Sequence, residues 1–156
     1  MIKKIIVLLL ITVSCISCNY RPKLERPEGM PELHPCSVTV TFGGSAMQAV
    51  IVSLIPVESN SEWKPTGTTD KNGTAMPSAS YGFKGVPEGK YFVAFTRTVD
   101  NPNYDENDPQ SPPARSLIPW KYSIGKSTET LEIKAGEKNK FSLALDAGEE
   151  LVPIKK

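Results

Sequence analysis

The chain has 156 residues, of which 39% are hydrophobic and 22% are charged, and its formal net charge at pH 7 is +1. This size and composition favour a single globular domain. The near-neutral charge excludes the strongly basic surface that nucleic-acid binding requires, so no nucleic-acid partner is expected. The 14 prolines favour loops and strand edges over long helices.

Residues 1–17 have the pattern of a secretory signal peptide. Lys3 and Lys4 give it a positive start, and the largely apolar stretch 5–13 is too short to span a bilayer as a helix, which takes ~20 residues. Small residues and two cysteines follow in the order SCISC. This arrangement resembles the lipobox of bacterial lipoproteins, in which a cysteine after small residues is acylated and becomes the mature N-terminus.

Either of the two cysteines can fill the acylated position. Cys18 is preferred because it leaves a fuller segment after the apolar stretch, and Cys15 is the alternative. Several acyl chains, at about 0.8 kcal/mol per buried CH₂, would hold the protein on the membrane. The expected location is the bacterial cell envelope, with the outer membrane preferred. A plain secreted protein with incidental cysteines is the alternative interpretation.

A proline-rich spacer is expected at residues 18–35. Prolines recur there among alternating charges and few apolar residues, which is typical of a semi-extended linker. The single histidine, His34, lies in this segment without a second histidine or a cysteine pair, so no metal site and no cofactor are predicted. Cys36 then opens the folded part as a lone thiol that is expected to be partly buried and inert.

Residues 36–147 carry the pattern of a β domain, and a C-terminal tail is expected at 148–156. The segment CSVTVTF at 36–42 alternates apolar and polar residues, which predicts a half-buried strand. The segment 48–57 is apolar on both faces, as in a central strand. Further strands are predicted at 90–99, 128–135 and 140–146. Short strands with Gly and Pro turns between them predict an all-β fold, an antiparallel sandwich.

The order of five motifs resembles a known family. The motifs are QAVIVSLIPV, GTTDKNGTA, GVPEGKYFVAF, LIPWKYS and TLEIKAGEKNKFSLAL. Their layout is similar to that of bacterial carboxypeptidase regulatory-like domains, which are transthyretin-like (prealbumin-like) seven-stranded sandwiches common in envelope lipoproteins. The resemblance covers about residues 36–147. It departs at MPSASY, residues 76–81, where small residues replace an apolar alternation, and at Trp120, where a small residue is usual.

The resemblance implies a fold and a noncatalytic domain. A zinc carboxypeptidase site needs two histidines and a glutamate, and this chain has one histidine. A G-x-S-x-G elbow is also absent, and the one histidine lies in the expected spacer, so no catalytic residue is predicted and the protein is not expected to be an enzyme.

Two acidic segments resemble cation sites but favour structural interpretations. The sequence DKNG at 70–73 begins like an EF-hand loop, but Ala79 stands where the loop needs its glutamate. A hairpin turn with Gly73 at positive φ is predicted instead. The stretch 100–113 holds four carboxylates, and a solvated, mobile loop is favoured there over calcium binding or partner contact.

The residues with the best claim to contact a partner lie in the long connection that ends in LIPWKYS. Trp120, Arg115 and Tyr104 are of the types that dominate interface energies. Trp120 and Arg115 are expected to be accessible, with Tyr122 buried. Trp63 and Trp120 either cap the ends of the core or form an aromatic platform for a sugar or a peptide.

Two classes of function follow, and a third is less favoured. The first is a membrane-anchored lipoprotein that displays a noncatalytic β-sandwich as a binding or scaffold module, with an envelope protein or a glycan as partner. The alternative is a structural or assembly subunit that pairs with a larger envelope complex through an edge strand. A hydrolase with an unrecognised site is the third.

Overall fold

The computed structural model describes residues 25–58, 62–80 and 82–146. Four predicted features lie outside the described residues. They are the signal peptide with Cys15, the preferred acylation site Cys18, the first part of the spacer and the tail at 148–156. Within those described ranges, no helix is long and apolar enough to cross a membrane.

Strands and one short 3₁₀ turn make up the regular structure of the described residues, which confirms the all-β prediction. The strands are β1 (Leu33–His34), β2 (Cys36–Phe42), β3 (Ser45–Ala46), β4 (Ile51–Pro56), β5 (Thr66–Thr68), β6 (Thr74–Ala75), β7 (Ser78–Ser80), β8 (Phe83–Lys84), β9 (Val86–Pro87), β10 (Gly89–Thr96), β11 (Thr98–Asp100), β12 (Ala114–Ser116), β13 (Thr130–Ile133) and β14 (Asn139–Leu145). The 3₁₀ turn spans Trp120–Tyr122, between β12 and β13.

The strands form two larger sheets and two small ones. The first larger sheet has six strands in the order β13, β10, β4, β5, β7, β8, and its strand pairs are antiparallel. The second has four strands, with β14, β2 and β3 in that order and β6 also paired to β2. The small sheets join β1 to β9 and β11 to β12.

One pairing departs from the antiparallel sandwich that the sequence predicts. β14 runs parallel to β2, from Asn139 opposite Cys36 to Leu145 opposite Phe42. The alternating patterns of the two strands are compatible with either direction, because every second side chain faces the core whichever way the neighbouring strand runs. The direction follows from the path that the chain takes between them, through the other sheet.

The two larger sheets share one apolar core, to which alternate residues of each strand contribute. Its most buried strand residues, at most 1% exposed, include Val38, Val40, Val52, Leu54, Val93, Phe95 and Ile133. The inward face predicted for 36–42 is therefore confirmed at Val38 and Val40, with Phe42 half-buried, and β4 has the central position predicted for 48–57. On β14, Leu145 is buried, but Phe141 and Leu143 pack against the core while only half-buried.

The folded part begins earlier than the sequence predicts. Met30 and His34, assigned to the spacer, are each 8% exposed, and β1 pairs with β9. Gly85 allows this close approach, because a Cβ at that position would lie 2.9 Å from the carbonyl oxygen of His34. A two-residue strand between prolines has no periodicity, so the sequence pattern could not reveal it.

A turn with Gly73 at positive φ is present at 70–73, as predicted, but it is not a hairpin, because β5 before it and β6 after it belong to different sheets. The Asp70 carboxylate accepts hydrogen bonds from the backbone N–H groups of Thr74 (2.9 Å) and Asn72 (2.8 Å). These bonds, that from Thr74 foremost, hold the pKa of Asp70 below its ordinary value, because they stabilise the charged form. Gly73 has a φ of 73°. The carboxylate thus stabilises the turn itself.

Candidate functional site

Apolar side chains lie on the outer face of the six-stranded sheet, the face turned away from the core. Phe92 on β10 stands opposite Ile55 on β4. Ile124, which follows the 3₁₀ turn, joins them over Ala94, and together they line a depression of about 250 Å³. Phe92 is 39% exposed and Ile124 is 63% exposed. We call Ile55, Phe92, Ala94 and Ile124 the outer patch.

Trp120 lies in the same segment of the chain as Ile124 of the outer patch. It begins the 3₁₀ turn and is 62% exposed. The Nζ atom of Lys126 lies 5.8 Å from the centroid of the indole ring, which is a cation–π contact. Lys126 directly follows Gly125, a residue of the depression, so the lysine that contacts the indole is next in sequence to the lining of the depression. Ser123 donates to the Trp120 carbonyl oxygen through its hydroxyl (2.7 Å) and its N–H (3.0 Å), which fixes the turn.

The turn is anchored to the core through Tyr122. Its ring meets Phe95 edge-on at a centroid distance of 6.2 Å, and its hydroxyl oxygen accepts a hydrogen bond from the N–H of Asp146 at 3.0 Å. Tyr122 is 6% exposed, whereas Trp120 and Arg115 are exposed, as the sequence predicts. The buried tyrosine therefore holds the indole in an outward position.

Arg115 and Tyr104 lie on the hairpin that precedes the turn. Arg115 is in β12 opposite Val99, and Tyr104 is in the loop between β11 and β12, where it is 50% exposed. In the described part of the chain, neither makes a ring or cation–π contact with Trp120. Trp120, Arg115 and Tyr104 thus come from one stretch of the chain but do not form one aromatic cluster. Their role in partner contact stays a prediction.

The acidic loop between β11 and β12 is folded onto its own backbone. The carboxylate of Asp105 accepts from the N–H of Asn107 (2.9 Å), and that of Asp108 accepts from the N–H of Gln110 (2.8 Å). These are Asx turns, in which the side chain replaces a backbone acceptor. Among the described residues, no group of three or more His, Cys, Asp or Glu side chains is arranged to hold a metal ion.

A second concave region lies where β2 and β14 begin, and its volume is about 520 Å³. Its lining includes Pro35, Cys36, Met76 and Pro77, which we call the floor, and the charged residues Lys84, Lys138, Lys140 and Glu137, which we call the rim. We call this region the basic groove. Burial raises the pKa of the Cys36 thiol to about 11, so the thiol is neutral at physiological pH, as expected for an inert cysteine.

Sequence reasoning found Trp120 but missed the outer patch and the basic groove. The outer patch joins Phe92 to Ile55 across two strands, and the only available signal was that 48–57 is apolar on both faces. The basic groove joins residues about one hundred positions apart, such as Cys36 and Lys138. Trp63, the other tryptophan, is half-buried and has an interaction partner.

No family model matches the chain, and no curated protein matches it. Among solved structures it is similar to a 9R-lipoxygenase from Cyanothece PCC8801, with 12% sequence identity and a TM-score of 0.32. The match covers 90% of this chain but 20% of that one, so the chain corresponds to about a fifth of the length of that structure. The fold defines an all-β domain with two larger sheets around one core.

Proposed function

We propose that the protein is a membrane-anchored lipoprotein of the bacterial cell envelope that displays a noncatalytic, transthyretin-like β-sandwich as a binding module. The lipid anchor rests on the motif around Cys18, with Cys15 as the alternative site, and the outer membrane is the preferred location. The single observation that carries the binding role is the outer patch, with the exposed Trp120 in the same chain segment as Ile124. The partner is a glycan or an envelope protein.

The outer patch is unusual for the open face of an antiparallel sheet. Such a face is normally polar where water reaches it, whereas here Phe92 on β10 is 39% exposed. Trp120 in the 3₁₀ turn and Ile124 after it are 62% and 63% exposed. Contiguous apolar surface of this kind often marks an interaction site. The indole is held by its turn and by Lys126, so binding would immobilise few additional side chains. A flat aromatic ring of this kind suits the face of a sugar ring or an apolar side chain.

The transthyretin-like topology is supported by the order of the sequence motifs and by the two larger sheets around a shared core. Noncatalytic action is supported by the sequence, which has one histidine and no G-x-S-x-G elbow. In the two acidic segments, one carboxylate oxygen of Asp70, of Asp105 and of Asp108 accepts backbone N–H groups of its own turn.

The two tryptophans provide a paired test of the outer patch. In Trp63→Phe only Trp120 remains fluorescent, and in Trp120→Phe only Trp63 remains. On titration with soluble peptidoglycan fragments or fractionated envelope proteins, we expect a saturable fluorescence change in Trp63→Phe and none in Trp120→Phe. Ile124→Asp, added to Trp63→Phe, should weaken binding at least tenfold. An equal response from both single-tryptophan variants, both still folded, would remove the outer patch as the binding surface.

The anchor is tested by metabolic labelling with radioactive palmitate. We expect wild type and Cys15→Ser to be labelled and to partition into detergent, whereas Cys18→Ser is unlabelled. Loss of label only in Cys15→Ser would move the acylated position to Cys15. Absence of label in wild type would contradict the lipoprotein proposal.

One observation favours the alternative function, an assembly subunit that pairs through an edge strand. β14 has β2 on one side, and no strand of the described chain pairs with its other edge over seven residues. Edge strands are normally short or carry Pro and several charges, which discourage pairing with other chains. Within NKFSLAL, Lys140 is the one charged residue.

Lysines added to the exposed positions of β14 test this alternative. Ser142→Lys with Ala144→Lys should abolish chemical crosslinking to an envelope complex while the melting midpoint changes little, because both side chains are exposed. Glu132→Lys on β13 is the matched control at the edge of the other sheet. Crosslinking that survives in the double variant would exclude pairing through β14.

A further inference from the structure

The basic groove arises where a strand ladder stops. Lys140 on β14 stands opposite Ser37 on β2, and β6 pairs with β2 only as far as Val38 and Ala75. Pro77 has no N–H, so the β6 ladder cannot continue to the start of β2. Met76, left beyond the end of the ladder, is 73% exposed. The early end of β6 thus leaves an apolar hollow beside Lys140.

The floor of the basic groove has few groups that a peptide backbone could pair with. Pro35 and Pro77 have no N–H to donate, and the neutral thiol of Cys36 is only a weak donor. Asn139, although polar, uses its side-chain amide on Lys134: its oxygen accepts from the Lys134 N–H at 3.0 Å, and its nitrogen donates to the Lys134 carbonyl at 3.1 Å. The floor therefore favours an apolar body over an extended peptide.

The rim of the basic groove has a charge opposite to that of the domain. The described residues carry 12 lysines and arginines against 15 aspartates and glutamates. The rim, by contrast, has Lys84, Lys138 and Lys140 against Glu137 alone. Lysines gathered on one rim of an acidic domain attract an anionic group, and a carboxylate is a fitting acceptor for ammonium donors.

We propose that the basic groove binds a small amphiphile with a carboxylate head and an unbranched apolar body, of the fatty-acid class. The head meets the lysines of the rim, and the body lies on Met76, Pro77 and the Cys36 side chain. The volume, about 520 Å³, falls within the usual range of small-molecule sites, roughly 300–1,000 Å³. This site is separate from the outer patch, and the inference does not depend on the proposed function.

Met76 is a local reporter for occupancy of the basic groove, because its side chain is 73% exposed. The full chain is treated with hydrogen peroxide in the presence of decanoate below its micelle concentration, and oxidation of Met76 to its sulfoxide is followed by mass spectrometry of its own peptide. We expect decanoate to slow this oxidation at least fivefold. 1-Decanol has the same chain length and no charge, so an at least tenfold higher concentration of it should be needed for the same protection.

Charge-neutral variants identify the rim. The rim variant combines Lys84→Gln, Lys138→Gln and Lys140→Gln. It should require at least tenfold more decanoate for the same protection. The matched control combines Lys64→Gln, Lys71→Gln and Lys90→Gln. It removes three lysines elsewhere and should behave as wild type. A thermal melt of each variant shows whether it is folded.

Three outcomes would overturn the proposal. The first is equal protection by 1-decanol and decanoate, and the second is unchanged protection in the rim variant. The third is stronger protection by an acidic peptide, such as the chain's own YDEND sequence, than by decanoate. That result would make the basic groove a protein-contact site.

Discussion

At the residue scale, a few positions hold the backbone where no other residue type fits. Gly73 is the clearest case, because it combines a φ of 73° with a close approach to β2. A Cβ at this position would lie 2.6 Å from the carbonyl oxygen of Val40. The turn that Asp70 stabilises is thus pressed directly against a core strand.

Gly73→Ala should lower the free energy of unfolding more than Gly136→Ala does. Gly136 has the same φ of 73°, but a Cβ there meets nothing within 4 Å. The control therefore measures only the free-energy cost of placing an alanine in the left-handed backbone region, about 1 kcal/mol. Gly73→Ala adds the displacement of β2, and a total of roughly 2–4 kcal/mol is expected from urea unfolding. Equal losses in the two variants would show that the turn can move away from Val40.

The Cys36 thiol predicts a pH dependence of stability. Its pKa rises from an ordinary value of 9.0 to about 11 because of burial. A raised pKa means that the unfolded state loses its proton first, so the contribution to stability is present below pH 9 and is lost as pH rises to about 11. Burial, and then the nearby Cys36, also raise the pKa of Tyr91.

Unfolding of wild type between pH 8 and pH 11 should therefore show a steeper loss of free energy than unfolding of Cys36→Ala. Tyr91→Phe serves as the companion variant, because the pKa of the Tyr91 phenol is raised, as is that of the Cys36 thiol. The measurement is the urea midpoint at each pH. Parallel pH curves for wild type and Cys36→Ala would mean that the thiol ionises in the folded state as readily as in the unfolded state.

At the element scale, a central strand and an edge strand contribute unequally to the core. β4 lies between β10 and β5, and its inward residues are fully buried. β14 is flanked on one side only, and its middle inward residues, Phe141 and Leu143, are half-buried. The burial of an inward-facing apolar residue therefore depends on the position of its strand within the sheet.

Leu54→Ala and Leu143→Ala should differ accordingly. Leu54 is 0% exposed, and its truncation should cost roughly 2–5 kcal/mol, as for other buried leucines. Leu143 is half-buried, so the same truncation should cost about half as much. Chemical denaturation of the two variants provides the comparison. A larger loss for Leu143→Ala would indicate that a partner or another part of the chain covers β14.

At the scale of the whole molecule, the segment before β2 belongs to the folded unit. Met30 is buried, and β1 is paired with β9, although the sequence there resembles a spacer. β9 directly precedes the long strand β10. This early segment therefore stabilises the approach to one of the principal core strands.

A chain that begins at residue 25 should consequently be more stable than one that begins at residue 36. Both should have a circular dichroism spectrum dominated by strand, and the shorter chain should melt several degrees lower because it exposes Val86 and loses the β1–β9 pairing. Met30→Ala with His34→Ala in the longer chain is the control for lost side-chain contacts. Identical midpoints for the two chains would show that β1 contributes nothing to stability.

Local features of the sequence determined much of the fold and part of the candidate site. The alternation of 36–42 determined which side chains face the core, and DKNG determined a turn with Gly73 at positive φ. The LIPWKYS segment indicated Trp120 outside and Tyr122 inside. Each of these depends on neighbours within a few residues, where the period of the backbone and the chemistry of the side chain act directly.

Tertiary structure alone decided the features that join distant parts of the chain. The parallel direction of β14 on β2 depends on the path between them, and the outer patch depends on the register that sets Phe92 opposite Ile55. The basic groove needs Cys36 and Lys138 to meet at the start of the same two strands. A sequence pattern specifies which face a residue occupies, but the neighbour across that face is chosen by the packing of the whole core.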